Sequence, residues 1–195
     1  MDKLFITAAS TVTEADLRDA RLGSRFGRMD LTSQLALLAV EPLAAGFDSL
    51  GRERIAICLA ARTSSLSTDV EYWKGRDGAG GPSPTLFTYT LPSAAIGEIA
   101  IRHRLTGPNL CFVGRSDNVL PEAAEVIRGG EADACVCVYV KAISTDLAGM
   151  ITMPAEVTSC AVFLRRGDRG LQEWREFDRD MESICANLRP QLAKK

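Results

Sequence analysis

The sequence predicts an α/β fold, with helices packed on a sheet. Apolar runs of strand length alternate along the chain with stretches in which apolar residues recur at helical spacing. This alternation is typical of strand–helix–strand units arranged in layers. The chain has 195 residues, of which 46% are hydrophobic, and this is enough for one domain with a substantial core.

The first part of the chain predicts two strands with a helix between them. Leu4 to Ala8 is a short apolar run of strand length. Asp30 is a favoured N-cap residue for a helix that begins at Leu31, after which leucines recur at helical spacing. Arg54 to Leu59 contains the next apolar run and predicts the second strand.

The segment from Gly75 to Pro84 contains too many glycines and prolines for regular structure. It lacks the glycine-rich motifs that cradle phosphate groups, and no strand directly precedes it. We therefore interpret it as a connecting loop rather than a nucleotide site, and we expect no cofactor.

After this loop the predicted order is helix, strand, turn, helix and strand. The patterns place these elements at Leu91 to Leu105, Asn109 to Val113, Gly114 to Asn118, Pro121 to Arg128 and Ala134 to Val140, in that order.

Ser116 lies on the turn between the predicted strand and helix, where a nucleophile would face the positive end of a helix dipole. The surrounding residues do not form a G-x-S-x-G elbow, and no histidine follows Ser116 to serve as a base. On chemistry alone, Ser116 or Asp117 is better interpreted as a helix cap, and the nucleophile remains the alternative.

The charge distribution excludes two classes of partner. The net charge is -2, and acidic and basic residues are well mixed, so no field attracts nucleic acid or an anionic membrane surface. No stretch approaches the ~20 apolar residues that span a bilayer. We expect a cytoplasmic protein.

The cysteine and histidine residues do not suggest a metal site. Cys135 and Cys137 lie one residue apart in a predicted strand, so both thiols should point to the same buried face. No second cysteine pair completes four ligands, and His103 is the single histidine. We interpret His103 as a solvated or helix-end residue, and we expect six free thiols and no bound metal.

Several segments, in order, resemble β-ketoacyl synthases. They are Ser83-Pro84-x-Leu86-Phe87, Leu91-Pro92-x3-Ile96-Gly97-x-Ile99-Ala100-Ile101, Leu105-Thr106-Gly107-Pro108-Asn109 and Ile127-x-Gly129-Gly130-x-Ala132-Asp133, with weaker pieces at Arg28-Met29-Asp30, Arg54 to Leu59 and Ala155 to Leu164.

The resemblance implies a thiolase-like half fold with a mixed five-stranded sheet. It covers most of residues 1–167, which we expect to form one domain similar to the N-terminal half of a ketosynthase. For residues 168–195 we predict an amphipathic helix over Leu171 to Leu192. Its apolar face would carry residues spaced by three or four positions: Trp174, Phe177, Met181, Ile184 and Leu188.

The departures from the family imply a lost active site. Ser116 stands where the family has its catalytic cysteine, and a hydroxyl needs a base to become a nucleophile. The two catalytic histidines of the family belong to a second half that the resemblance does not cover. Val138 and Tyr139 replace a glycine pair behind the site. We therefore expect no catalytic residue.

The resemblance also implies partners and surfaces. Ketosynthases pair across a twofold axis through the strand before the nucleophile, which makes Leu110, Cys111, Phe112 and Val113 interface candidates. The acyl-pocket candidates are Phe87, Leu91, Ile96 and Tyr139. The expected partner is a ketosynthase subunit or a second copy of the chain, and an acyl carrier protein is a further expected partner.

Two functions follow from the resemblance. The first is a catalytically degenerate, chain-length-factor-type subunit of bacterial fatty acid or polyketide biosynthesis, of the aryl-polyene type, that partners an active ketosynthase. The alternative is an acyltransferase or thioesterase that acts on acyl-carrier-protein thioesters through Ser116. Its base would come from a partner or from Asp117 or Glu122.

Overall fold

The fold is built on one mixed sheet with helices on both faces. The computed structural model describes residues 3–78 and 81–192. The strands are β1 (Leu4–Thr13), β2 (Ile55–Ala61), β3 (Asn109–Val113), β4 (Ala134–Ile143), β5 (Glu156–Arg166) and β6 (Gln172–Glu173). Their spatial order is β3-β2-β4-β5-β1-β6, which confirms the predicted fold class.

The helices complete the layers. They are α1 (Glu14–Asp19), α2 (Leu31–Val40), α3 (Leu66–Gly75), α4 (Pro84–Phe87), α5 (Ala94–His103), α6 (Val119–Arg128), α7 (Thr145–Ile151) and α8 (Met181–Leu192). The predicted loop lies between α3 and α4, but its Ala79 and Gly80 are outside the described residues. Within residues 3–78 and 81–192, no helix is long and apolar enough to cross a bilayer.

The sheet has six strands rather than the predicted five. The additional strand, β6, pairs over two residues with Phe5 and Ile6 at the free edge of β1. A two-residue strand forms by pairing with an existing edge, so it leaves no periodic pattern in its own sequence.

The centre of the sheet is the parallel pair of β2 and β4, with β3 parallel to β2 on the outside. β5 is antiparallel to β4, and β1 is antiparallel to β5. Every residue of β2 is buried. Such strands read as continuous apolar runs because helices cover both of their faces, which is why β2 and β4 were visible in the sequence.

Alternation along β4 divides the core into two clusters. Val136 and Val138 face the side covered by α2 and α5. Cys135 and Cys137 face the side covered by α6 and α8, as their spacing predicted. Because successive side chains of a strand point to opposite faces, residues from these two clusters lie on opposite sides of the sheet.

The predicted helix over Leu171 to Leu192 is wrong in its first half, and so is an amphipathic helix over the whole of 168–195. The Asp180 carboxylate accepts hydrogen bonds from the backbone N–H groups of Glu182 and Ser183, which places the helix start at Met181. Before it, Trp174 is buried in a non-helical segment, and its indole N–H donates to the Asp178 carbonyl at 2.8 Å. Ala193 to Lys195 lie outside the described residues.

The remaining tail positions divide between core and solvent. Met181, Ile184 and Leu188 are buried in the cluster that covers one sheet face, so α8 lies on the sheet. Phe177, which the helical spacing placed on the same apolar face, is 75% exposed. The spacing therefore predicted the face of α8 correctly and its length incorrectly.

His103 ends α5 and is buried rather than solvated. Its side chain is 9% exposed, its ring contacts Phe47 edge-on at 5.5 Å, and Nε2 lies 3.5 Å from a Glu41 oxygen. Burial lowers the pKa of His103 below its usual value. Glu41 favours the protonated form, whereas Arg102 and Arg52 disfavour it.

We expect this burial to make the protein less stable in mild acid. Below the ordinary histidine pKa of about 6.5, the unfolded chain binds a proton that the folded chain resists, so the free energy of unfolding falls with pH. The stability from neutral His103 is present above that pKa and is lost as pH falls below it. Urea denaturation measures the free energy of unfolding at about pH 7.5 and about pH 5.5. Between these two pH values, His103→Phe should lose less of this free energy than the wild type does. Equal losses would contradict this expectation.

Gly107 precedes β3 where two backbone segments approach closely. A Cβ at this position would lie 2.3 Å from the Ile55 carbonyl oxygen and 3.0 Å from that of Glu53. Since backbone cannot move aside as a flexible side chain can, we expect Gly107→Ala to lower the free energy of unfolding by roughly 1–3 kcal/mol.

Gly97 provides a matched control, because it lies within α5 and a Cβ there meets nothing within 4 Å. Gly97→Ala should instead stabilise the protein by about 0.5–1 kcal/mol through helix propensity. Chemical denaturation measures both. Equal effects of the two substitutions would show that the close approach at Gly107 is unimportant.

Candidate functional site

The turn that carries Ser116 connects β3 to α6. Gly114 takes a φ of +113°, which favours glycine, and its N–H donates to the Ala61 carbonyl at 3.0 Å. A single 3₁₀ turn over Ser116–Asn118 then leads directly into α6. Ser116 is 4% exposed and lies at the carboxyl end of β3, ahead of the helix N-terminus.

Neither Ser116 nor Asp117 caps α6, so the cap interpretation is wrong. The N-cap position is Asn118, whose side chain makes no capping hydrogen bond. The Asp117 carboxylate instead accepts a hydrogen bond from Arg115 Nε at 2.9 Å. An ion pair within the turn has replaced the expected cap.

Ser116 lines a cavity of about 270 Å³ at the carboxyl ends of β2 and β3. Six polar side chains from other elements share it: Arg62 just after β2, Tyr139 and Lys141 of β4, Glu156 of β5, and Asp180 and Glu182 at the start of α8. Ligands in open α/β sheets bind in crevices outside the carboxyl ends of parallel strands, so the cavity has the location of a ligand site.

Lys141 is held between two carboxylates inside this cavity. Its side chain is 16% exposed, and Nζ lies 2.9 Å from Glu156 and 2.6 Å from Glu182. Burial opposes the charge, but the hydrogen bonds that the Lys141 ammonium donates to Glu182 and Glu156 outweigh burial and raise the pKa of Lys141. An ammonium held protonated in this way is a poor general base.

The remaining carboxylates of the cavity also have partners. Asp117 pairs with Arg115, and a hydrogen bond from Ser183 lowers the pKa of Asp180. Arg62, by contrast, makes no ion pair within the described part of the chain. It lies within hydrogen-bond reach of the Tyr139 phenol, and burial raises the pKa of that phenol.

No candidate base reaches Ser116 among residues 3–78 and 81–192. His103 is buried against Phe47 in the region of α2 and α5, on the opposite side of the sheet from α6. Asp117 is paired with Arg115, and Glu122 is exposed on α6 and does not line the cavity. The arrangement therefore presents a hydroxyl in a cavity without the group that would activate it.

The four acyl-pocket candidates do not come together. Tyr139 is buried under α6 and α8, whereas Ile96 belongs to the cluster under α2 and α5 on the other face. Phe87 and Leu91 are 59% and 63% exposed. Of these four, only Tyr139 lines the Ser116 cavity. Sequence spacing alone could not show which face of the sheet each residue occupies.

The four interface candidates form the outer edge strand. β3 pairs with β2 and lies at the end of the strand order. Leu110 and Phe112 pack against the α6 side of the core, while Cys111 and Val113 are exposed. The structure therefore leaves this edge open, and its pairing with a partner stays a prediction.

The cysteines contribute to the core. Five of them, Cys58, Cys135, Cys137, Cys160 and Cys185, lie in the cluster under α6 and α8, and all six are free thiols. Burial raises the pKa of Cys58 and Cys137, which disfavours the reactive thiolate. The described residues contain no group of histidine, cysteine or acidic side chains arranged to hold a metal.

Sequence reasoning missed most of the charged residues at the site, namely Arg62, Lys141, Glu156 and Glu182. One signal was present, because Lys141 interrupts the apolar run of β4, and a charge at such a position is rarely buried without a partner. Nothing in the sequence identified the partners, which come from β5 and α8.

Neither a protein-family model nor a curated protein matches the chain. Several solved structures, however, are similar to the chain. A chain of "The ishigamide ketosynthase/chain length factor" is 19% identical with a TM-score of 0.69, and the match covers 85% of this chain and 62% of that one.

Two further structures are similar to the chain. A ketosynthase (ApeO) in complex with its chain length factor (ApeC) from Xenorhabdus doucetiae matches at 15% identity and a TM-score of 0.67, over 85% of this chain and 79% of the other. A chain in the structure of AntDE:AntF, a type II PKS acyl-carrier protein in complex with its ketosynthase, matches at 16% identity and a TM-score of 0.67. The match covers 85% of this chain and 63% of that one.

The chain thus spans 62% of the length of the first of these structures. At such low identity the likeness establishes architecture and not activity. The chain has the thiolase-like fold that ketosynthases and chain length factors share.

Proposed function

We propose that the protein is a non-condensing, chain-length-factor-type subunit that pairs with an active ketosynthase and stabilises or shapes its acyl site. The pathway would be bacterial fatty acid or polyketide biosynthesis of the aryl-polyene type. The observation that carries this proposal is the environment of Ser116, a hydroxyl at the turn before α6 with no base within the described residues.

The electrostatics of the cavity support a non-catalytic role. Lys141 of the cavity is neutralised by Glu156 and Glu182 and has a raised pKa. It therefore cannot readily take the proton of Ser116. Groups that activate a nucleophile act as a unit, and a lone member contributes little.

The open edge of β3 supports a pairing role. Hydrogen bonds to β2 flank this strand at both ends. The Ile57 N–H of β2 donates to the Pro108 carbonyl just before β3, and the Gly114 N–H just after β3 donates to the Ala61 carbonyl of β2. Because these directions alternate along a strand, the N–H and C=O groups of Cys111 point away from β2. An edge of this kind is available for another strand.

The solved neighbours are consistent with such a partner. Among them are a ketosynthase in complex with its chain length factor and an acyl-carrier protein in complex with its ketosynthase. By analogy we propose a ketosynthase as the partner of this chain, or a second copy of the chain, with an acyl carrier protein as a further partner of the assembly.

The edge pairing predicts the effect of a single proline. Cys111→Pro removes an outward N–H without removing a bond to β2, and edge strands tolerate proline. Co-expression with a cysteine-containing ketosynthase from the same source, followed by affinity purification, should recover a complex with the wild type and lose most of it with Cys111→Pro.

Cys111→Ala is the matched control, because it changes the side chain and keeps the N–H. It should recover the complex as the wild type does. Equal recovery with the proline and alanine variants would exclude the β3 edge as the interface. Failure of the wild type to recover any ketosynthase would overturn the proposed function.

The alternative is a Ser116-dependent acyltransferase or thioesterase, and one observation favours it: Ser116 lines a cavity. Incubation with an acyl-carrier-protein thioester, followed by intact mass measurement, separates the two functions. We expect no added acyl mass on the wild type. An acyl adduct that is absent from Ser116→Ala would establish the alternative instead.

A further inference from the structure

Arg62 is one of the charged residues that line the Ser116 cavity. It directly follows β2, and its backbone N–H donates to the Val140 carbonyl of β4 at 2.8 Å. The Ser116 turn follows β3, on the other side of β2. Arg62 is thus the first residue of the turn after β2, its backbone is tied to the neighbouring parallel strand β4, and its half-buried side chain lines the cavity.

The charges of the cavity leave Arg62 without a counterion. Four carboxylates line the cavity, and each one has a partner: Asp117 with Arg115, Glu156 and Glu182 with Lys141, and Asp180 with the first turn of α8. Arg62 is the one cation of the cavity without an ion pair in the described part of the chain. A half-buried guanidinium is stabilised by an anion that forms two parallel hydrogen bonds with it.

Further donors face the same space. Ser116 is 4% exposed, and within the described residues its hydroxyl makes no side-chain hydrogen bond. Ser116 also opens the 3₁₀ turn that leads into the ten-residue α6, where free N–H groups and the helix dipole favour negative charge. The Ser116 hydroxyl opens into the cavity and has no side-chain hydrogen-bond partner among the described residues, which is a second, independent indication that the cavity takes a polar ligand.

We propose that this cavity binds a small carboxylate anion, with Arg62 as its ion-pair partner and Ser116 and the start of α6 as hydrogen-bond donors. The planar guanidinium matches the planar carboxylate through two hydrogen bonds. The four carboxylates around the cavity repel a multiply charged ligand, so a monoanion is bound in preference to phosphate. No covalent step is involved.

Binding is tested on the isolated protein with propionate as the probe. Saturation-transfer NMR at neutral pH and constant ionic strength should detect propionate on the wild type at millimolar concentration. Arg62→Gln should weaken binding by about tenfold or more, because it removes a charge-assisted hydrogen bond. Arg62→Lys should fall between the two, since it keeps the charge and loses the fork.

Arg28→Gln is the matched control, because Arg28 is exposed and lies outside this cavity. It should bind propionate as the wild type does, and thermal melting should show that each variant is folded. Absence of a wild-type signal, or equal signals from the Arg62→Gln and wild-type proteins, would overturn the proposal. If phosphate and acetate displaced propionate equally well, the choice of a carboxylate as the ligand would be overturned.

This inference goes beyond the proposed function and is tested separately from it. The binding measurement needs no ketosynthase, and the pairing measurement uses the β3 edge, which lies outside the cavity lining. Failure to detect propionate binding would therefore not overturn the proposed pairing, and failure to recover a ketosynthase would not overturn the proposed carboxylate site.

Discussion

The complete burial of the parallel strands β2 and β4 is the constraint on which the structure depends. No residue of β2 is exposed, and burying a strand on both faces requires a helix layer on each side. The same pairing puts the carboxyl ends of β2, β3 and β4 at one end of the sheet. Arg62, the Ser116 turn and Lys141 meet there because Ala61 pairs with Val113 on one side and with Val140 on the other, so the residues that follow lie at the same level of the sheet.

At that end of the sheet, most of the charged side chains are paired with one another. Lys141 is compensated by Glu156 and Glu182, and Asp117 by Arg115. A nucleophilic hydroxyl needs an unengaged base within hydrogen-bond reach, yet Lys141 and the four carboxylates of the cavity already have partners. Asp180 directly precedes α8 and Glu182 lies in its first turn, so the helix that covers one sheet face also contributes charged side chains to the cavity.

Much of the fold was predictable, and the site only in part. β3 has the predicted bounds, and the Ser116 turn lies where the strand–turn–helix order put it, because apolar runs report burial directly. The start of α8 was not predictable from spacing. Trp174 has the spacing of an apolar helix face, yet it is buried in a non-helical segment, where its indole N–H donates a hydrogen bond to the Asp178 carbonyl. The acyl-pocket candidates failed as a group because Ile96 and Tyr139 lie on opposite faces of the sheet.

The sequence by itself determined the α/β class, the buried strands and the apolar face of α8. These follow from local periodicity. Only the tertiary structure decided which charges meet Ser116, that β6 extends the sheet, and that Arg62 lacks a counterion within the described residues. Ion pairs such as Lys141 with Glu182 join residues far apart in the chain, and a side chain's partner depends on strand order and helix placement, which no local pattern records.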